Sequence, residues 1–144
     1  MLERDSGVYN ELQPGSYVFM DADYGRNELD KADIVFEQSL FVWTTVMSRR
    51  SADRAVVDAG LKALAMDSGP PLVVGWPGLE YTKASDGHGV LAIAPGASAP
   101  ALGDKLRLVP GHCDPTVNLY DALMECAEAT WSAYGPSPRG GTLR

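Results

Sequence analysis

Short runs of strand-forming residues recur along this chain at intervals of about 8–15 residues, with turn signals between them, and that rhythm restricts the fold more than any other feature. The runs are Ser16–Met20, Leu40–Ser48, Arg54–Gly60, Leu72–Val74, Leu79–Ala84, Val90–Ala94 and Lys105–Val109. Fifteen glycines and ten prolines among 144 residues supply the breaks. Many short strands and many turns predict a mainly β fold, an antiparallel β-barrel or sandwich. The run at 40–48 reads as a central strand buried on both faces, because its β-branched, aromatic and aliphatic residues are nearly continuous. Tyr17, Phe19, Phe41 and Trp43 are assigned to the core with it. Arg54–Gly60 follows after a few polar residues and makes a hairpin with it, and the closing Gly60 marks a bend or a close backbone approach. Leu79–Ala84 reads as an edge strand.

The tail breaks this rhythm. Apolar or small residues fall at Leu119, Ala122, Leu123, Cys126, Ala127 and Thr130, a helical period that Gly135 would stop. The sequence therefore predicts a β fold with a short C-terminal helix. At 144 residues one domain is expected, over 1–135, with 136–144 a frayed glycine- and proline-rich tail. A chain of this size buries roughly two-thirds of its unfolded surface, enough for a core without staples.

Charge narrows the partners. Twelve Lys and Arg against 19 Asp and Glu give a net charge of −7. Affinity for a phosphate backbone comes largely from counterion release by basic residues, so no nucleic-acid partner is expected. An anionic membrane surface is disfavoured for the same reason. No run approaches the ~20 apolar residues of a bilayer span, and Leu40–Met47 is interrupted by Thr44 and Thr45. The first residues lack the basic start and apolar stretch of a signal peptide, and two cysteines make no disulfide framework. Cytoplasmic residence with reduced thiols is the expectation.

The chemistry is concentrated at one place. After the Lys105–Val109 run come Pro110, Gly111, His112, Cys113, Asp114 and Pro115. In an extended segment side chains alternate, which would set His112 and Asp114 on one side and Cys113 on the other. An imidazole and a carboxylate suit a divalent ion such as Zn²⁺ or Mn²⁺, with further positions open as in a catalytic site. The same two groups also fit a general base oriented by a carboxylate, or a turn whose Asp caps the next segment and whose His faces solvent. Elsewhere the signals are weaker. The acidic stretch Asp21–Asp33 opens with EF-hand spacing, but Gly25, Arg26 and Ala32 stand where that loop needs a ligand, a glycine and a glutamate. It reads as a solvated loop. His88 lies in the glycine-rich corner 85–89, and Asp58 and Lys62 are spaced for a local ion pair. No phosphate loop and no nucleophile motif is present.

Four stretches, residues 14–21, 41–49, 54–64 and 102–121, resemble the C-terminal domain of the D-threonine aldolase and D-serine dehydratase-like family. The resemblance runs over about residues 8–121, and the stretch ending in His112, Cys113 and Asp114 is its most specific part. It implies the β fold of the alanine racemase C-terminal domain, in enzymes whose N-terminal barrel carries pyridoxal 5′-phosphate (PLP) on a lysine. It implies a lyase acting on D-β-hydroxy-α-amino acids, with a divalent metal, Mn²⁺ or Zn²⁺, held by His112 and Asp114. Cys113 points away, and the His-Cys-Asp form is more like the aldolase branch. It also implies a PLP barrel, missing here or supplied in trans, as a partner, and a homodimer. None of Lys31, Lys62, Lys83 or Lys105 resembles the cofactor lysine, so the chain alone is expected to be inactive. Gly87 stands where the family has an acidic residue, which weakens a role for His88. Beyond Asp121 the family has a hairpin, where these residues read as a helix. The alternative to the lyase domain is a non-catalytic β-domain remnant serving as a binding or assembly module.

Overall fold

A computed structural model describes residues 7–11, 13–27, 35–127 and 130–136, the side chains of residue 127 and of 130–136 excepted. Eight strands follow in the order β1 (Val42–Ser51), β2 (Arg54–Val57), β3 (Leu72–Val73), β4 (Leu79–Ala84), β5 (Gly89–Ile93), β6 (Lys105–Val109), β7 (Ala122–Ala127) and β8 (Thr130–Pro136). Helix α1 (Cys113–Val117) stands between β6 and β7. The first six strands form one antiparallel sheet in the order β3-β6-β1-β2-β5-β4, and β3 also approaches β4, so the sheet nearly closes into a barrel.

Alternation along each strand builds the interior. Val42, Thr44 and Val46 of β1 point inward, facing Leu108, Leu106 and Val57 across the ladder. Ala55 meets Leu91, which meets Tyr81, and Leu79 meets Ile93. These residues are the core, with Leu91 and Leu108 fully buried. The outward partners are polar or half-covered, as Arg107 is opposite Trp43. The core polar group Thr44 is satisfied by donating to Asp58 Oδ1 at 2.7 Å. Asp58 is thereby engaged with Thr44 and the Thr45 N–H rather than with Lys62.

Strands β4 and β6 coincide with the predicted runs, β1 and β2 form the predicted hairpin, and β4 ends the sheet order. Gly60 packs as expected: a Cβ there would lie 2.2 Å from the Ser85 carbonyl oxygen. Three expectations are corrected. Ser16–Val18 is a 3₁₀ turn, not a strand; its chain reverses through Met20 at φ 55°. Strand β1 is central but buried on one face only, so Trp43 is 49% exposed, and Tyr17 is likewise outside the core. The C-terminal helix is absent: residues 122–127 and 130–136 pair as the antiparallel strands β7 and β8. A helix of this length needs an apolar face to bury, and Met124, Glu125 and Cys126 are all exposed. Of the predicted tail, residues 137–144 lie outside the described residues, as do residues 28–33 of the acidic loop.

Candidate metal centre

Strand β6 ends at Val109, and Pro110 and Gly111 turn the chain into His112, the N-cap of α1 at φ −142° and ψ 122°. Only His112 is extended, because helix geometry begins at Cys113; the predicted alternation through Asp114 does not occur. The two side chains nevertheless converge. His112 Nε2 stands 3.7 Å from Asp114 Oδ2, too far for a hydrogen bond between them. Cys113 is fully buried and its Sγ lies 3.6 Å from Asp114 Oδ1, to which it donates, and burial pushes its thiol up to about 11.

A second carboxylate holds the opposite edge of the imidazole. Asp67 Oδ2 lies 2.7 Å from His112 Nδ1. That hydrogen bond raises the His112 pKa against the effect of burial, assisted by the charges of Asp67, Asp114 and Asp21. The same bond holds the Asp67 carboxyl below its usual range, so both partners favour the charged pair.

Asp67 comes from the strap between β2 and β3, 45 residues away in sequence, and three contacts seat that strap. The buried Thr116 hydroxyl donates to His112 O at 2.7 Å and accepts from Ala65 N–H at 3.1 Å. Tyr120 Oη donates to Ala63 O at 2.7 Å. Gly111 meets the strap without a side chain between them; a Cβ there would lie 2.1 Å from Gly69 O.

A buried acid organises the other side. Asp21, 1% exposed, accepts from Cys113 N–H and Tyr24 N–H at 2.7 and 2.8 Å. It satisfies one of the free donors at the start of α1. Asp21 was expected in a solvated loop, and burial corrects that; the loop's opening acid is a structural cap. Ser16 Oγ, also buried, donates to Asp114 Oδ2 at 3.1 Å. His88 is exposed and serves its corner through its carbonyl, which accepts from Ser85 N–H and Oγ.

The donor set fits a divalent cation. Metal bonds of about 2.0–2.2 Å would put two donors of one tetrahedral ion ~3.4 Å apart, close to the observed gap. A nitrogen and a carboxylate oxygen suit Zn²⁺ or Mn²⁺. Among the described residues no group of three or more His, Cys, Asp or Glu could hold a metal, so this chain offers a pair and an open side. Asp67, Asp21, Ser16 and Thr116 were not identified from sequence. Their types are ordinary, and no spacing ties Asp67 to His112.

This site lies at the end of strand β6, at one end of the nearly closed antiparallel barrel, and comparison with known proteins places it in a family. Residues 39–125 match the family described as "Putative serine dehydratase domain". The chain belongs to that family. It is 58% identical over 119 residues to a D-threonine aldolase from an Arthrobacter species, covering 83% of this chain and 31% of that protein. It is 52% identical over 125 residues to a 3-hydroxy-D-aspartate aldolase from Paracoccus denitrificans, again covering 83% of this chain and 31% of that protein. Among solved structures, the D-threonine aldolase of Filomicrobium marinum superposes with a TM-score of 0.83 at 47% identity, over 92% of this chain and 36% of that one. An alanine racemase-like protein from Idiomarina loihiensis shares the fold alone, with a TM-score of 0.58 at 20% identity over 70% of this chain and 32% of that one. The chain thus spans about a third of the length of its curated relatives.

Proposed function

We propose that this chain is the metal-bearing β domain of a PLP- and divalent-metal-dependent lyase that cleaves D-β-hydroxy-α-amino acids, of the D-threonine aldolase type. The observation that carries the reading is the pair His112 Nε2 and Asp114 Oδ2, facing each other across 3.7 Å. Identity to two aldolases above 50%, against 27% to a D-threo-3-hydroxyaspartate dehydratase from a Delftia species, favours carbon–carbon cleavage over loss of water.

In this reading His112 and Asp114 would hold a Mn²⁺ or Zn²⁺ ion, which would remain open to substrate and water. The bound ion would act as a Lewis acid toward the substrate's β-hydroxyl, while PLP on the partner barrel would be the electron sink. The residues of this chain fix where that hydroxyl sits. Cys113, buried and protonated, stays out of the ligand set. The helix start, capped by Asp21, keeps His112 and Asp114 in register. Balanced, the reaction turns D-threonine into glycine and acetaldehyde: the Cα–Cβ bond breaks, the β-hydroxyl proton passes to solvent or a base, and Cα takes up a proton in its place. The barrel, in cis or in trans, and a homodimer complete the proposed assembly, and a cytoplasmic setting goes with it.

The test joins this chain to a PLP barrel and measures acetaldehyde release from D-threonine with Mn²⁺. Activity is expected, with a loss of at least about a hundredfold in kcat/KM on His112→Ala or Asp114→Ala, the scale of losing a Lewis-acid contribution of several kcal/mol. Full activity in either variant, or D-threonine turnover by the 144 residues alone, would refute the reading.

A further inference from the structure

Three carboxylates and one imidazole meet at the end of β6, yet only His112 and Asp114 face one another as ligands. The other edge of the ring carries a shorter contact. Asp67 Oδ2 at 2.7 Å from Nδ1 is the tighter of the two contacts that the His112 ring makes with carboxylates. An ionised carboxylate can only accept, so the neutral ring must donate through Nδ1. The proton then sits at Nδ1, and Nε2 keeps its lone pair on the side of Asp114.

Nothing in the sequence around His112 supplies this arrangement. It depends on a strap 45 residues away, brought in by Thr116, Tyr120 and the side-chain-free approach of Gly111 to Gly69. Asp67 itself is half exposed, at 55% for its side chain, and apart from His112 only backbone groups of Asp67 and Ser68, among the described residues, touch its carboxylate. A side chain in that position contributes little to the core. What it does contribute is orientation of the ring and choice of tautomer. On the Asp114 side the buried Ser16 hydroxyl acts in parallel, anchoring Oδ2 at 3.1 Å.

We infer that Asp67 is a positioning residue: its carboxylate fixes the Nδ1–H tautomer of His112 and so aims the Nε2 lone pair at the cation position shared with Asp114. The inference rests on the metal reading above only in its last clause; the tautomer stands by itself. Partners of this kind, behind a metal-bound histidine, typically change metal affinity by 10–100-fold when removed.

Long-range ¹H–¹⁵N correlation spectra of the metal-free chain, with the ring neutral, read the tautomer directly. His88, in its exposed corner, is an internal reference. The wild-type His112 ring should show protonated Nδ1. Asp67→Ala should move a large share of the proton to Nε2 and weaken Mn²⁺ binding about 10–100-fold. Asp67→Asn, which keeps an acceptor, should retain the Nδ1–H form and most of the affinity. Unchanged His88 signals and an unchanged Tm in both variants would show that the fold survives. A wild-type ring protonated at Nε2, or a tautomer indifferent to Asp67→Ala, overturns the inference. If the tautomer responds but no variant, wild type included, binds Mn²⁺, the positioning role stands and the metal reading falls.

Discussion

Replacing Thr116 by valine should cost this domain about 2–3 kcal/mol. Valine has nearly the shape of threonine, so packing at this fully buried position is preserved and only the hydroxyl is lost. That hydroxyl makes two bonds, from Ala65 N–H at 3.1 Å and to His112 O at 2.7 Å. A net hydrogen bond is worth about 0.5–1.5 kcal/mol, and a donor left without a partner costs about 1–3 kcal/mol. Ala65 N–H is half-buried, which puts its penalty near the lower end. The His112 carbonyl loses an acceptor contact, which costs less. Against a total of about 5–15 kcal/mol for a domain, the loss is large. Urea unfolding followed by tryptophan fluorescence should show a lower midpoint at unchanged m-value, and Tm should fall by roughly 5–10 °C. Thr116→Ser keeps the hydroxyl and should recover most of the difference. A valine variant within 0.5 kcal/mol of wild type, a threshold set by typical surface substitutions of about that size, would refute the claim that Thr116 ties the Asp67 strap to α1.

Other perturbations reach the same framework. Gly111→Ala should destabilise strongly, because its Cβ would lie 2.1 Å from Gly69 O, where only backbone can yield; a near-neutral Tm would contradict the close approach. Of the two thiols, exposed Cys126 should react with iodoacetamide at pH 8, while Cys113, buried and pushed up to about 11, should react only in denaturant; mass spectrometry of native and unfolded samples decides. Burial at Asp58 works against ionisation but is outweighed by hydrogen bonds from Thr44 and Thr45, so its pKa lies below 3.8. A depressed carboxylate adds stability that is present above its unfolded pKa and lost as pH falls through its folded one. Acid unfolding below about pH 4 should therefore be less steep in Asp58→Asn, and an unchanged profile would count against the pairing.

The strands were legible because inward and outward positions alternate within a single short run, as in Leu79–Ala84 and Lys105–Val109. The face of an aromatic residue was not. Trp43 lies in a run as apolar as any core strand, and only the packing around the barrel shows that its side is the outer one. The helix read from 119–130 rested on spacing of small residues that fits a helix without requiring one, and pairing with Thr130–Pro136 prevailed. The His112–Asp114 pair was found by the wrong route: alternation predicted convergence, but a helix N-cap produces it. Asp67 and Asp21 join the site only through tertiary contacts spanning 45 and 92 residues, which no local pattern encodes.

The central claim is that His112 and Asp114 together hold a divalent ion. Titrating the ¹⁵N-labelled chain with Mn²⁺ tests it most directly, because its two histidines report side by side. Paramagnetic broadening should erase the His112 ring signals first and spare those of His88, and Asp114→Ala should remove that preference. Equal broadening of both rings, or sharp His112 signals at millimolar metal, would contradict the account.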